Sequence, residues 1–266
     1  MKIPYKNGDI PALLNYPTKS GLTPAIMIVH GFTGSKEGDL GKFSRMAEYL
    51  NKLGFATLQF DFCGCGENES PMAFYNINRL LDECTVAYEF LLNQKNIDPN
   101  KITAIGHSLG ARIVSLLCNK LNFNALVLLN GALGNKYRTP WWLKEELYRI
   151  QEECKYEGKS AFVSSGGQNL YLYQEFFTSL EKTDVDRSLK AYEKPLLIVY
   201  GTTDPSVDPR VSIETYDIAQ GNVKKLVAIE DANHTFNAKT GDFTKLDECI
   251  GVVGGWLNDV YFQLPK

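Results

Sequence analysis

The sequence predicts an α/β protein built on a mostly parallel, doubly wound central sheet with helices on both faces. Six short apolar runs, PAIMIVHG (24–31), FATLQFDF (55–62), KITAIGH (101–107), NALVLLNG (124–131), PLLIVYG (195–201) and KKLVAIEDA (224–232), lack clean alternation, as strands covered on both faces do. Segments with the apolar spacing of amphipathic helices lie between most of them. The chain's 266 residues, 44% of them hydrophobic, suffice for one large α/β domain or for a domain carrying a sizeable insertion. Alternating strand and helix is the layered pattern of such a sheet, and right-handed crossovers limit its topologies.

At the start of the chain, Asn7-Gly8 between KIPYK and DIPALLNYP reads as the two-residue turn of a hairpin, so two antiparallel strands are expected first. Residues 41–53 form a helical segment. Residues 76–92 form another, with Ile77, Leu80, Leu81, Cys84, Tyr88 and Leu91 on one stripe. LGARIVSLLCNK is helical directly after KITAIGH, and Leu246, Ile250, Val253, Leu257 and Val260 repeat the helical spacing near the end. One interval breaks the rhythm, because about 63 residues (132–194) separate two consecutive core strands. Its aromatic content and its Ser164-Ser165-Gly166-Gly167 step mark it as an inserted lid, leaving residues 1–131 and 195–266 as the core. The GKS at 158–160 is no phosphate loop, since Glu153 stands where the first glycine is needed.

A net charge of −3 leaves no basic footprint, so a nucleic-acid partner is not expected. No apolar run reaches signal-peptide length at the start or bilayer-spanning length elsewhere, which predicts a cytoplasmic protein without an integral membrane segment. The six cysteines, Cys63, Cys65, Cys84, Cys118, Cys154 and Cys249, are scattered and partly within helical patterns, suiting reduced buried thiols. Cys63-Gly-Cys65 lacks a second Cys/His cluster to complete a metal site, so neither a metal nor a cofactor is expected.

The chemistry centres on IGHSLG (105–110). Ser108 falls where a strand ends and a helix begins; Gly106 and Gly110 supply the small neighbours that a sharp turn there needs, and the helix N-terminus favours developing negative charge. A serine nucleophile requires a base. Of the three histidines, His107 adjoins the serine with its side chain directed away from the hydroxyl, and His30 suits a structural hydrogen-bonding role in His30-Gly31-Phe32. His234, in EDANHTF after the last strand, remains at the carboxyl edge where ligands bind in open α/β sheets. The carboxylate that orients it is Asp204 in GTTDPSVDP, with Asp208 and Asp231 as alternatives. Backbone N–H groups of Leu109 and Phe32 are the candidate oxyanion donors.

With HGF, GHSLG, GTTDPSV and DANHTF in this order, the chain resembles the α/β-hydrolase superfamily of serine esterases and lipases over essentially its whole length. HGFTGSKEG, FDFCGCGENES and the aromatic insertion look most like the cinnamoyl and feruloyl esterase group, which carries a lid between the sixth and seventh strands. The resemblance implies an acyl-serine intermediate: Ser108 attacks, His234 moves protons, Asp204 orients His234, and the Phe32 and Leu109 amides hold the oxyanion. Two features depart from the group. Cys63 and Cys65 stand where relatives commonly carry arginine and histidine, and Leu109 where glutamine is frequent.

The expected function is hydrolysis of carboxylic esters of a small molecule, cinnamoyl-type or of short to medium acyl chains. Trp141, Trp142, Tyr171 and Tyr173 are candidate substrate-binding walls. Monoacylglycerol lipase, thioesterase and serine aminopeptidase activities are the enzymatic alternatives, and a ligand-binding protein on the same fold is the non-enzymatic one. Whether the chain is a monomer or a homodimer stays open.

Overall fold

A computed structural model describes residues 1–6, 8–18, 21–134, 145–164 and 166–263. In chain order the described strands are β1 (Lys2–Ile3), β2 (Ile10–Asn15), β3 (Thr23–Val29), β4 (Ala56–Phe60), β5 (Ile97–His107), β6 (Ala125–Leu129), β7 (Lys159–Val163), β8 (Asn169–Tyr173), β9 (Leu196–Gly201) and β10 (Lys224–Ile229). The helices are α1 (Lys42–Lys52), α2 (Ile77–Leu92), α3 (Leu109–Leu117), α4 (Glu145–Glu157), α5 (Gln174–Glu181), α6 (Val185–Lys190), α7 (Arg210–Ile218) and α8 (Thr244–Asn258). Eight strands form the central sheet in the order β1-β2-β4-β3-β5-β6-β9-β10, and β7 and β8 pair separately. β1 and β2 pair antiparallel, as do β2 and β4; from β4 to β10 every pairing is parallel.

The apolar runs lack alternation because the sheet is covered twice. Ala25, Met27 and Val29 of β3 enter one core with Leu80 and Cys84 of α2 and Ile113 and Leu117 of α3. Ile26 and Ile28 enter a second core with Phe43, Met46 and Leu50 of α1 and Leu246, Ile250, Val253 and Leu257 of α8. β6 and β9 divide in the same way, with Leu126, Leu128, Leu196 and Ile198 on one side and Val127, Leu129, Leu197 and Val199 on the other.

Two expectations need correction. The opening strands are antiparallel, but Ile3 pairs with Ile10, so residues 4–9 connect them instead of a two-residue turn. Pro4 has no N–H to extend the ladder toward Gly8, and Asn7 lies outside the described residues. β5 begins at Ile97, earlier than the apolar run, because Ile97 pairs with Thr23 before a register shift. The polar sequence Asp98-Pro99-Asn100 hides that extension.

In chain order α4, the β7–β8 hairpin, α5 and α6 fall between the sixth and seventh strands of the main sheet. Arg112 of α3 ties this segment down, donating to Gly134 O ahead of α4 and to Thr183 Oγ1 between α5 and α6. All six cysteines are free and buried. No described helix is long and apolar enough to cross a membrane.

Candidate active site

β5 ends at His107 and α3 begins at Leu109, leaving Ser108 alone in the turn with φ 56° and ψ −119°. A left-handed backbone at a non-glycine residue costs on the order of 1–3 kcal/mol and persists only where its surroundings over-determine it. Here Ser108 N–H donates to Leu129 O at 2.9 Å and Ala132 N–H to Ser108 O at 3.0 Å. The flanking glycines meet a steric demand. A Cβ on Gly106 would stand 2.5 Å from Ala111 N, and one on Gly110 would stand 2.2 Å from Val29 O. Leu109 is the first residue of α3, so its N–H has no intrahelical acceptor.

The segment after β3 passes directly against this serine, since a Cβ on Gly31 would lie 2.9 Å from Ser108 Cβ. His30 fastens the segment: its Nδ1–H donates to Gly31 O at 2.8 Å and its Nε2 accepts from Phe62 N–H at 3.1 Å. A carbonyl only accepts and an amide only donates, so the proton sits on Nδ1. Burial pushes the His30 pKa down. Thr33, at φ 48°, donates its N–H to Tyr75 Oη at 3.2 Å. Beyond it, the buried Lys36 Nζ and Asp61 Oδ2 pair at 2.9 Å, and Asp61 also accepts from the N–H groups of Lys36 and Glu67. The Phe32 ring packs against Phe162, Phe176 and Tyr75, with centroids 5.6, 5.4 and 5.9 Å away.

The strand ends at β9 and β10 bring a carboxylate and an imidazole together. His234 Nδ1–H donates to Asp204 Oδ2 at 2.7 Å, while Asp204 Oδ1 accepts from Ser206 N–H at 2.7 Å and Val207 N–H at 3.0 Å. Three bonds on a side chain 1% exposed fix the carboxylate's orientation. With the Nδ1 proton committed, a neutral His234 ring carries its lone pair on Nε2. Asp208 is engaged differently, forming a fork with Arg210. Asp231, at φ 57°, donates its N–H to Thr202 Oγ1. The backbones of the two loops cross closely: Thr203 N–H donates to Ala232 O at 3.1 Å, and a Cβ on Gly201 would stand 2.2 Å from that same oxygen.

Among the candidate walls, Trp141 and Trp142 lie outside the described residues. Tyr171 and Tyr173 pair with Ala161 and Lys159, whereas Phe162 pairs with Leu170 and Ser160 with Leu172. Side chains alternate along a strand, so the two tyrosines occupy the hairpin face opposite Phe162, which is the residue packed on Phe32. Tyr171 is half exposed, with Lys159 Nζ 4.8 Å from its ring centroid. The aromatic residues beside the candidate oxyanion segment are therefore Tyr75, Phe162 and Phe176. Along β7 Ser160 and Phe162 are buried while Lys159, Ala161 and Val163 are exposed, an alternation that the residue types of KSAFV do not display. Burial pushes the thiols of Cys63 and Cys65 up, which keeps both protonated. Cys63 N–H donates to Glu83 Oε2 at 2.9 Å, and Glu83 Oε1 accepts from Arg79 Nε–H at 2.7 Å.

A family model described as alpha/beta hydrolase fold matches residues 24–152. Among solved structures, Est1E from Butyrivibrio proteoclasticus with ferulic acid bound is similar with a TM-score of 0.77 at 21% identity, over 97% of this chain and 98% of that one. Esterase EstD from Thermotoga maritima is 20% identical over 262 residues, covering 90% of this chain and 60% of its own. An uncharacterised protein from Mycobacterium tuberculosis is 32% identical over 111 residues, 42% of this chain; the match spans 37% of that relative's length.

Proposed function

Because this chain has the α/β-hydrolase fold, we propose that it hydrolyses carboxylic esters through an acyl-serine formed on Ser108. The observation that carries the reading is the 2.7 Å bond from His234 Nδ1 to an immobilised Asp204, at the same sheet edge as a serine held in a left-handed turn. Ser108 Oγ attacks the ester carbonyl carbon, and its proton passes to His234 Nε2. The carbonyl π pair moves onto oxygen, where the N–H groups of Phe32 and Leu109 receive it. Collapse of this intermediate breaks the carbon–oxygen bond to the alcohol, which leaves with the proton from His234. Water then attacks the acyl-serine by the same route in reverse, releasing the acid and restoring Ser108.

Substrates of the cinnamoyl type, or esters of short to medium acyl chains, suit the aromatic surroundings of Phe32. Ferulic acid bound to the similar Est1E supports the first class. Residues 132–194 act as the lid that selects among them, with Phe162 and Phe176 contributing walls. The test compares wild type and Ser108→Ala on short-chain nitrophenyl esters, long-chain monoacylglycerols, methyl ferulate and an aminoacyl anilide. We expect preferred turnover of one ester, falling at least about 10³-fold in Ser108→Ala. Near-full activity in the variant refutes the assignment. Preferred turnover of the anilide redirects it to amide bonds.

A further inference from the structure

The main-chain carbonyl of His234 accepts hydrogen bonds from two buried side chains to which none of the steps above gives a role. His107 Nε2–H donates to it at 2.8 Å and Asn130 Nδ2–H at 2.9 Å. The Asn130 amide also reaches Asn233 O at 3.2 Å, and its Oδ1 accepts from Gly201 N–H at 2.8 Å. The two side chains come from different strands. His107 ends β5 one residue before Ser108; Asn130 follows β6, and its bond to Gly201 grips the end of β9 three residues before Asp204.

On the esterase reading above, we propose that His107 and Asn130 are positioning residues that set the His234 imidazole against Ser108 on one side and Asp204 on the other. One buried donor suffices to satisfy a carbonyl. Two donors from separate strands, one of which also binds a third strand through its other end, hold the carbonyl at a fixed point relative to both flanking groups. Residue 130 is suited to little else than asparagine. Its φ is 43°, a region that asparagine, aspartate and glycine tolerate best. Of those three, only asparagine supplies a donor and an acceptor together.

His107 contributes a rigid donor and a backing surface, since its ring centroid lies 4.9 Å from that of His234. Burial first, and the charge of Lys42 second, hold its pKa well below the ordinary imidazole value. It stays neutral beside the base and does not compete for the serine proton.

The experiment uses Asn130→Gly, which keeps the left-handed backbone but deletes the amide, together with His107→Leu and His107→Gln. Glutamine retains an N–H donor near the position of the imidazole Nε2–H. Three quantities are measured: kcat and KM on the best ester, the rate at which a fluorophosphonate labels Ser108, and the low-field NMR resonance of the proton between His234 Nδ1 and Asp204. Asn130→Gly and His107→Leu should lower kcat and the labelling rate about 10- to 100-fold with little change in KM, the scale expected for misplacing a catalytic group by about 1 Å. The resonance should broaden or vanish in both, and His107→Gln should recover all three readouts.

Wild-type kcat in both disruptive variants overturns the proposal. So does a fall in kcat with the resonance unchanged. The resonance needs no substrate, so its loss in the variants of a wild type that cleaves no ester supports the positioning role while refuting the esterase reading. If His107→Leu does not fold, Asn130→Gly and His107→Gln decide by the same criteria.

Discussion

Lowering the pH from about 7.5 to about 5.5 should weaken the fold, by at most about 2.7 kcal/mol, through two side chains, His30 and His107. Both are nearly inaccessible, at 1% and 5% exposure, and burial is the leading cause of the lowered pKa of each. His30 has a further reason to stay neutral, because a proton on Nε2 would face the Phe62 N–H that it now accepts. In the unfolded chain both rings return to the ordinary imidazole value of about 6.5. The unfolded state therefore binds more protons as the pH falls, and stability that is fully present above that value is lost below it. Across these two pH units the titration of the unfolded chain sets a ceiling of about 1.4 kcal/mol for each histidine. Carboxylates held low by cations, such as Asp39 and Asp208, lose their contributions further into acid. Urea unfolding at the two pH values measures the difference directly, and a fall in Tm of at most about 5–10 °C should accompany it. Removing both rings, as His30→Gln with His107→Gln, should flatten the dependence, and each single variant should reduce it. An undiminished pH dependence in the double variant would refute the argument.

Four further variants concern the carboxylates and the glycines. Asp204→Asn should lower kcat on the best ester by about 10⁴-fold, since the amide removes the charge and disturbs the tautomer of His234, whereas Asp208→Asn, whose loss frees only Arg210, should leave turnover within a few-fold of wild type. Gly110→Ala would drive a Cβ to 2.2 Å from Val29 O, a backbone atom that cannot step aside, so urea unfolding should show a loss of more than about 3 kcal/mol. Gly251→Ala lies within α8 with open space around the new methyl group and should stabilise by about 0.5–1 kcal/mol in the same assay.

The parts of this molecule that can be read from sequence are those in which a local requirement forces residue type. Five strands, β3, β4, β5, β6 and β9, announce themselves because a strand covered on both faces has few polar positions to spare, and the turn at Ser108 because backbone atoms of α3 and β3 leave no room beside it for a Cβ. His234 is legible by elimination, since the chain has three histidines, and Asp204 by its place just after a strand, with Asp208 and Asp231 as rivals; the structure pairs His234 with Asp204. Other features depend on relations that no local pattern carries. Which face of the β7–β8 hairpin meets Phe32 depends on register, and a shift of one residue would exchange Tyr171 for Phe162; the aromatic content alone cannot choose between them. Asn130-Gly131 reads locally as the end of a strand. The bonds that give Asn130 its meaning, to residues 71, 103 and 104 positions away, exist only once β6, β9 and β10 are side by side. Such a residue is chosen by the convergence of three strand ends, which is why Ser108 and His234 are easier to find in a sequence than Asn130.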